Sequence, residues 1–139
     1  MTIEEALFNH LTTDTSITTI VEGRIYPTVA IQRQKTPHIV YTAISTLHHE
    51  SMEGSSGLAA KRFQIDSISE VYATAKQVSE LVRLRLQGFI GLMGTMIDKV
   101  RVDLVEADDT RDGYNDDMEL YVCQSDFIVH YEEQIPGDP

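Results

Sequence analysis

Between Ser69 and Gly88 the chain carries the pattern that most restricts its fold. Val71, Ala75, Val78, Val82 and Leu86 recur at steps of four, three, four and four, and Gly88 supplies a stop. A helix there gathers these residues into one apolar stripe, which has to lie on something. The neighbouring segments offer a sheet. "AKRFQIDSIS" sets Phe63 and Ile65 against Arg62, Gln64 and Asp66, the alternation of a half-buried strand. "HIVYTAISTLHH" is β-branched and aromatic, contains no glycine or proline, and places Ile39, Tyr41 and Ala43 on one face. "DKVRVDLVEA" and "MELYVCQSDFIVHYEE" are two further strands. The expected fold class is α+β: an antiparallel sheet of four strands or slightly more, with one long helix packed on one face and short N-terminal helices.

Those N-terminal helices come from "IEEALFNHL", where Ile3, Leu7 and Leu11 fall at helical spacing, and from a second turn bearing Ile17, Ile20 and Val21. Asp14 or Thr15 is placed to cap the second helix and Gly23 to end it. Arg24 to Pro27 then leaves extended, because a proline excludes its predecessor from the α region. "TVAIQRQKTP" reads as a linker and "ESMEGSSG" as a loop. In the last strand the apolar parity switches from Met118, Leu120 and Val122 to Phe127, Val129 and Tyr131, which calls for a bulge near Gln124 to Asp126 or burial on both faces. The whole chain, 1–139, is expected to form one domain, with 132–139 as a flexible C-terminal tail.

"GFIGLMGTMI" follows the long helix with glycines at 88, 91 and 94. A dinucleotide loop would open a helix and not follow one, so a phosphate cradle does not fit. The segment reads as a link, yet Phe89, Ile90, Leu92 and Met93 make it apolar; either it folds under the domain or a neighbouring chain covers it. These four, together with Arg62, Gln64 and Asp66 on the exposed strand face, are the candidate oligomer-interface residues.

A net charge of −11 argues against a protein that grips nucleic acid by counterion release, which needs clustered Lys and Arg. With Cys123 as the one cysteine, neither an internal disulfide nor a Cys-rich zinc site can form. No apolar run is long enough for a membrane span and no leader pattern opens the sequence, so a chain that is cytosolic when made and no membrane partner are expected.

"DDTRDGYNDDME" matches the oxygen-ligand spacing of an EF-hand loop from Asp108 through Asp112 and Asp116 to Glu119, with Gly113 at the sixth position. Its flanks read as strands, and Asn115 stands where a hydrophobe is usual. Asp112-Gly113 between alternating segments is itself a hairpin signal. The turn is the preferred reading, and weak cation binding by Asp108, Asp112, Asp116 and Glu119 stays open beside it. His48-His49 beside Glu50 would point alternately to opposite faces of a strand, so only one imidazole would reach any single ion. No nucleophile, base and oxyanion donor can be assembled, so no catalytic residue, no cofactor and no enzyme activity are expected.

The order of signals carries more than any one of them. "GRIYP", then "TPHIVY", a Gly-Ser loop, "KRFQIDSIS" running into "YATAKQVSELVRLRL", and a long hairpin ending in an aromatic strand together resemble the tail-completion, or tail-terminator, proteins of long-tailed bacteriophages. The resemblance spans Leu7 to Tyr131; the Asp-rich hairpin and the apolar link depart from it. It implies a structural phage or prophage protein, not an enzyme, that forms a ring with copies of itself, commonly a hexamer. Such a ring caps the tail tube at its head-proximal end in the virion and contacts the tube protein and the head-tail connector. DNA passes through its channel without specific binding. A different neck or head-completion adaptor, or a non-catalytic binding module using the acidic tip, is the alternative.

Overall fold

The computed structural model describes residues 1–29, 35–51 and 54–133. The central parts of the expected linker (30–34) and loop (52–53), and the tail from 134, lie outside these residues. The elements run α1 (Ile3–Thr12), α2 (Thr15–Val21), β1 (Ile25–Pro27), β2 (His38–Ser51), β3 (Gly54–Ser69), α3 (Tyr72–Leu86), β4 (Gly91–Gly94), β5 (Lys99–Asn115) and β6 (Leu120–Glu132).

The fold class expected from sequence is corrected. The protein is mostly sheet: six strands in the order β1-β2-β3-β6-β5-β4 form a mixed half-barrel with three short helices. β1 runs parallel to β2, pairing Ile25 with Ile39, and every other neighbour is antiparallel. The two missed strands are the short ones. Three and four residues are too few to show a period, and β1 ends in a proline while β4 is bounded by glycines, both of which read as breaks. β2 and β3 also continue into the segment read as a loop, pairing as far as Ser51 with Gly54.

Each helix is bounded by local chemistry. Thr2 caps α1, its hydroxyl accepting from Glu5 N at 3.2 Å. Asp14 caps α2 through Ser16 N at 2.8 Å and Ile17 N at 3.2 Å. α3 starts where Val71 N donates to Ser69 Oγ, and its link to β5 is stitched by Gly88 N to Val105 O at 2.9 Å and Val105 N to Phe89 O at 3.1 Å. Of the predicted stripe, Ala75, Val78, Val82 and Leu86 are buried, whereas Val71 is 56% exposed at the cap.

One apolar cluster joins the helices to a single face of the sheet. Leu7, Leu11, Ile17, Val78 and Leu86 meet Ile39, Phe63, Ile65, Phe127 and Val129 in it. β6 alternates without interruption, with Cys123, Ser125, Phe127, Val129 and Tyr131 inward. The parity switch therefore needs no bulge in β6. The irregularities lie in the partner strand β5, between Val102 and Leu104 and between Ala107 and Asp109. The turn is also displaced from Asp112-Gly113: β5 stays paired to Asn115, opposite Leu120, and residues 116–119 make the turn.

Candidate functional site

The sheet face turned away from the helices carries polar and charged side chains from three adjacent strands. Registered rows across β3, β6 and β5 read Ala60–His130–Leu104, Arg62–Ile128–Glu106, Gln64–Asp126–Asp109, Asp66–Gln124–Arg111 and Ile68–Val122–Gly113. The face is thus apolar at both ends and charged in the middle.

In the middle, two guanidiniums hold three aspartates. Arg62 Nη1 lies 2.6 Å from Asp108 Oδ2 and 3.2 Å from Asp126 Oδ2. Arg111 Nη1 lies 2.6 Å from Asp109 Oδ2, and its Nη2 lies 3.3 Å from Asp126 Oδ1. Asp126, with a side chain only 13% exposed, is therefore bridged from both sides. The Asp108 carboxylate holds the Arg62 guanidinium more firmly protonated, and Asp109 does the same for Arg111. Asp66 differs: burial pushes its carboxyl up, against the amides of Gln64 and Gln124 that hydrogen-bond it. Among the described residues it has no cation within ion-pair distance.

At the β5–β6 end this face deepens into a cavity of about 660 Å³, with Ile68 and Val122 in its lining and Asp66, Tyr114, Asp116 and Asp117 around it. Behind it, on the helix side, Asp112 accepts from Tyr72 Oη at 2.7 Å and lies 3.3 Å from Lys76 Nζ. The Tyr72 hydroxyl first, and Lys76 after it, hold the Asp112 carboxyl below the usual range. Cys123, buried beneath, has its thiol pushed up to about 11, by burial first and by its hydrogen bond to Asp112 second.

The structure does not bring the four EF-hand candidates together. Asp108 turns to Arg62 on the open face, Asp112 to Tyr72 and Lys76 on the other, and Asp116 and Glu119 stand at the turn. The frame is also wrong, since Asp108 and Asp112 are strand residues. No group of three or more His, Cys, Asp or Glu placed to hold a metal occurs among the described residues. Of the His48-His49-Glu50 run, His48 has a described side chain, and its Nδ1 lies 2.6 Å from Glu133 Oε1; the side chains of His49 and Glu50 lie outside the described set.

The interface candidates divide. Arg62, Gln64 and Asp66 do share the open face. Met93 is fully buried, and Phe89 is half-buried against the core with its ring 4.5 Å from that of His10. Leu92 on β4, one of the two edge strands of the sheet, and Ile90 just ahead of it are 56% and 68% exposed. Sequence reasoning missed Met96 and Ile97, which stand 94% and 97% exposed in the β4–β5 turn. The available signal was Thr95 three residues before Asp98, whose backbone N–H donates to Thr95 Oγ1 at 3.0 Å and defines the turn. Arg111 was missed too, because its partners arrive from β5 and β6 together.

A family model described as tail completion protein gp17 matches residues 5–132. A solved chain titled "Virion of native gene transfer agent (GTA) particle" superposes with a TM-score of 0.73 at 16% identity, covering 91% of each chain, a likeness of fold. No curated protein matches the sequence.

Proposed function

The chain belongs to the tail completion protein gp17 family and is a structural phage-type tail protein of the virion; from that premise we propose that it closes the tail tube at the end facing the capsid. On this reading it acts as one subunit of a ring, in contact with the tube protein on one side and the head connector on the other. It works by fitting neighbours together and performs no reaction.

The observation that carries the proposal is the β4 edge, where Ile90 and Leu92 lie open to water at a strand paired on one side alone, with β5. Exposed apolar side chains on a sheet edge are an association surface, because burying them removes water from apolar area and pairs waiting backbone groups. The charge of −11 is compatible with DNA passage, since carboxylates facing a channel repel phosphates and reduce sticking. The same charge makes separate subunits repel, so assembly is favoured by the tube or by raised ionic strength.

Negative-stain microscopy of the purified protein, alone and with polymerising tube protein, tests this. Rings with a central hole, and tubes capped at one end, are expected. Monomers at every concentration and salt, with uncapped tubes, overturn it.

A further inference from the structure

We propose that copies of this chain join head to tail: the β4–β5 turn of one copy, bearing Met96 and Ile97, enters the acid-rimmed cavity at the β5–β6 end of the next. The inference rests on the self-assembly reading above and names the two surfaces that would carry it.

The turn is built as a projecting, ordered knob. Thr95 N donates to Asp98 O at 2.8 Å, Asp98 N donates to Thr95 Oγ1 at 3.0 Å, and the Asp98 carboxylate is tied to the Met1 ammonium at 3.1 Å. Two large apolar side chains are thereby held almost wholly in water by a turn that would lose little freedom on docking. Basic residues follow. Lys99 has no carboxylate within ion-pair distance among the described residues, and Arg101 is held only loosely, 3.7 Å from Asp103 and 3.8 Å from Glu132.

The cavity has the complementary character. Ile68 and Val122 give it apolar lining. Asp116 and Asp117 stand beside it with no cation within ion-pair distance among the described residues, and Asp66 is satisfied by amides alone. An apolar knob followed by Lys99 and a loosely held Arg101 thus matches an apolar cavity rimmed by Asp116 and Asp117, whose lining base Arg111 is already held by Asp109 and Asp126. Each bears on specificity as well as attraction, since two knobs or two cavities would set like charges together.

Knob and cavity lie at opposite ends of β5, roughly 50 Å apart for a strand of this length. One copy can therefore use both at once. A contact between two different surfaces is heterologous, the type that closes into a ring when its rotation permits.

The test is complementation between two full-length variants, followed by sedimentation velocity. Ile97→Asp spoils the knob, and Asp116→Lys with Asp117→Lys spoils the cavity; all three positions are exposed, so circular dichroism should show both variants folded. Each variant alone should associate at least about tenfold more weakly than the unaltered chain. Their equimolar mixture should form 1:1 dimers and stop, because one intact knob meets one intact cavity. If the unaltered chain assembles and the Ile97→Asp variant assembles equally well, or if the mixture does not pair, this inference falls while the ring reading stands. An unaltered chain that stays monomeric at every concentration and salt, and leaves tubes uncapped, overturns both.

Discussion

Arg62 on β3 reaches over β6 to Asp108 on β5, forming a 2.6 Å ion pair between strands that are not neighbours. A bulge makes it possible. Asp108 is the extra residue between the pairs Ala107 with Phe127 and Asp109 with Asp126, so two consecutive aspartates serve the same open face.

Replacing Arg62 with alanine leaves Asp108 and Asp126 without the guanidinium they share. We expect the variant to melt below the parent at low ionic strength, with the gap narrowing near 1 M salt, where the screening length falls to about 3 Å. Thermal melts at two salt concentrations measure this, and equal melting at low salt would count against the network.

Phe63 and Phe127 face each other across β3 and β6 at 0% and 1% exposure. Truncating either to alanine should cost about 3–5 kcal/mol. Against a total of roughly 5–15 kcal/mol this brings the chain close to unfolding. The urea midpoint reports it, and a loss below about 1 kcal/mol would mean that the two rings do not anchor the core.

Two glycines should respond oppositely to alanine. Gly94 sits at φ +135°, and a Cβ there would meet Asp98 O at 2.4 Å, so Gly94→Ala should cost about 1–3 kcal/mol. Gly113 lies within the β5–β6 ladder with open space around it, so Gly113→Ala should be neutral or up to about 1 kcal/mol stabilising. Denaturant titration of both separates this structure from one in which Gly113 makes the hairpin turn.

Burial pulls the pKa of His10 below its ordinary 6.5, with the nearby Arg85 charge adding to it against Asp14 and the Arg85 carbonyl; burial does the same to His38. The unfolded chain therefore binds more protons in the window from 6.5 down to the folded values. Their contribution to stability is complete above pH 6.5 and is lost as pH falls through the folded values. A double His10→Gln, His38→Gln variant should show a flatter fall in urea midpoint between about pH 7 and pH 5. An unchanged slope would remove the histidines as its cause.

With its thiol near 11 and no exposure, Cys123 should resist iodoacetamide at pH 8 in the folded protein and react on unfolding. Mass spectrometry after timed alkylation measures the difference; rapid labelling of the native chain would mean that the α3–β6 seam opens.

The helices and the long strands were legible because their signals are local. A period of 3.6 in α1 and α3, a capping Asp14 before α2, and the alternation of Arg62, Gln64 and Asp66 with Phe63 and Ile65 all lie within a single element. The candidate site was half legible for the same reason: Arg62, Gln64 and Asp66 share a strand, so the sequence places them on one face.

What belongs to the tertiary structure is whatever depends on which element lies beside which. Three residues at Ile25–Pro27 become a strand only because β2 offers a parallel edge, and Met93 is buried while Leu92 is exposed because β4 happens to pair with β5. The Asp-rich stretch looked like one cluster, yet Asp108 was drawn to Arg62, 46 positions earlier, and Asp112 to Tyr72, 40 positions earlier. Sequence spacing prescribes a residue's face within its own helix or strand, but a charge is neutralised by whatever lies within a few ångströms, and that distance is defined only once the sheet has closed.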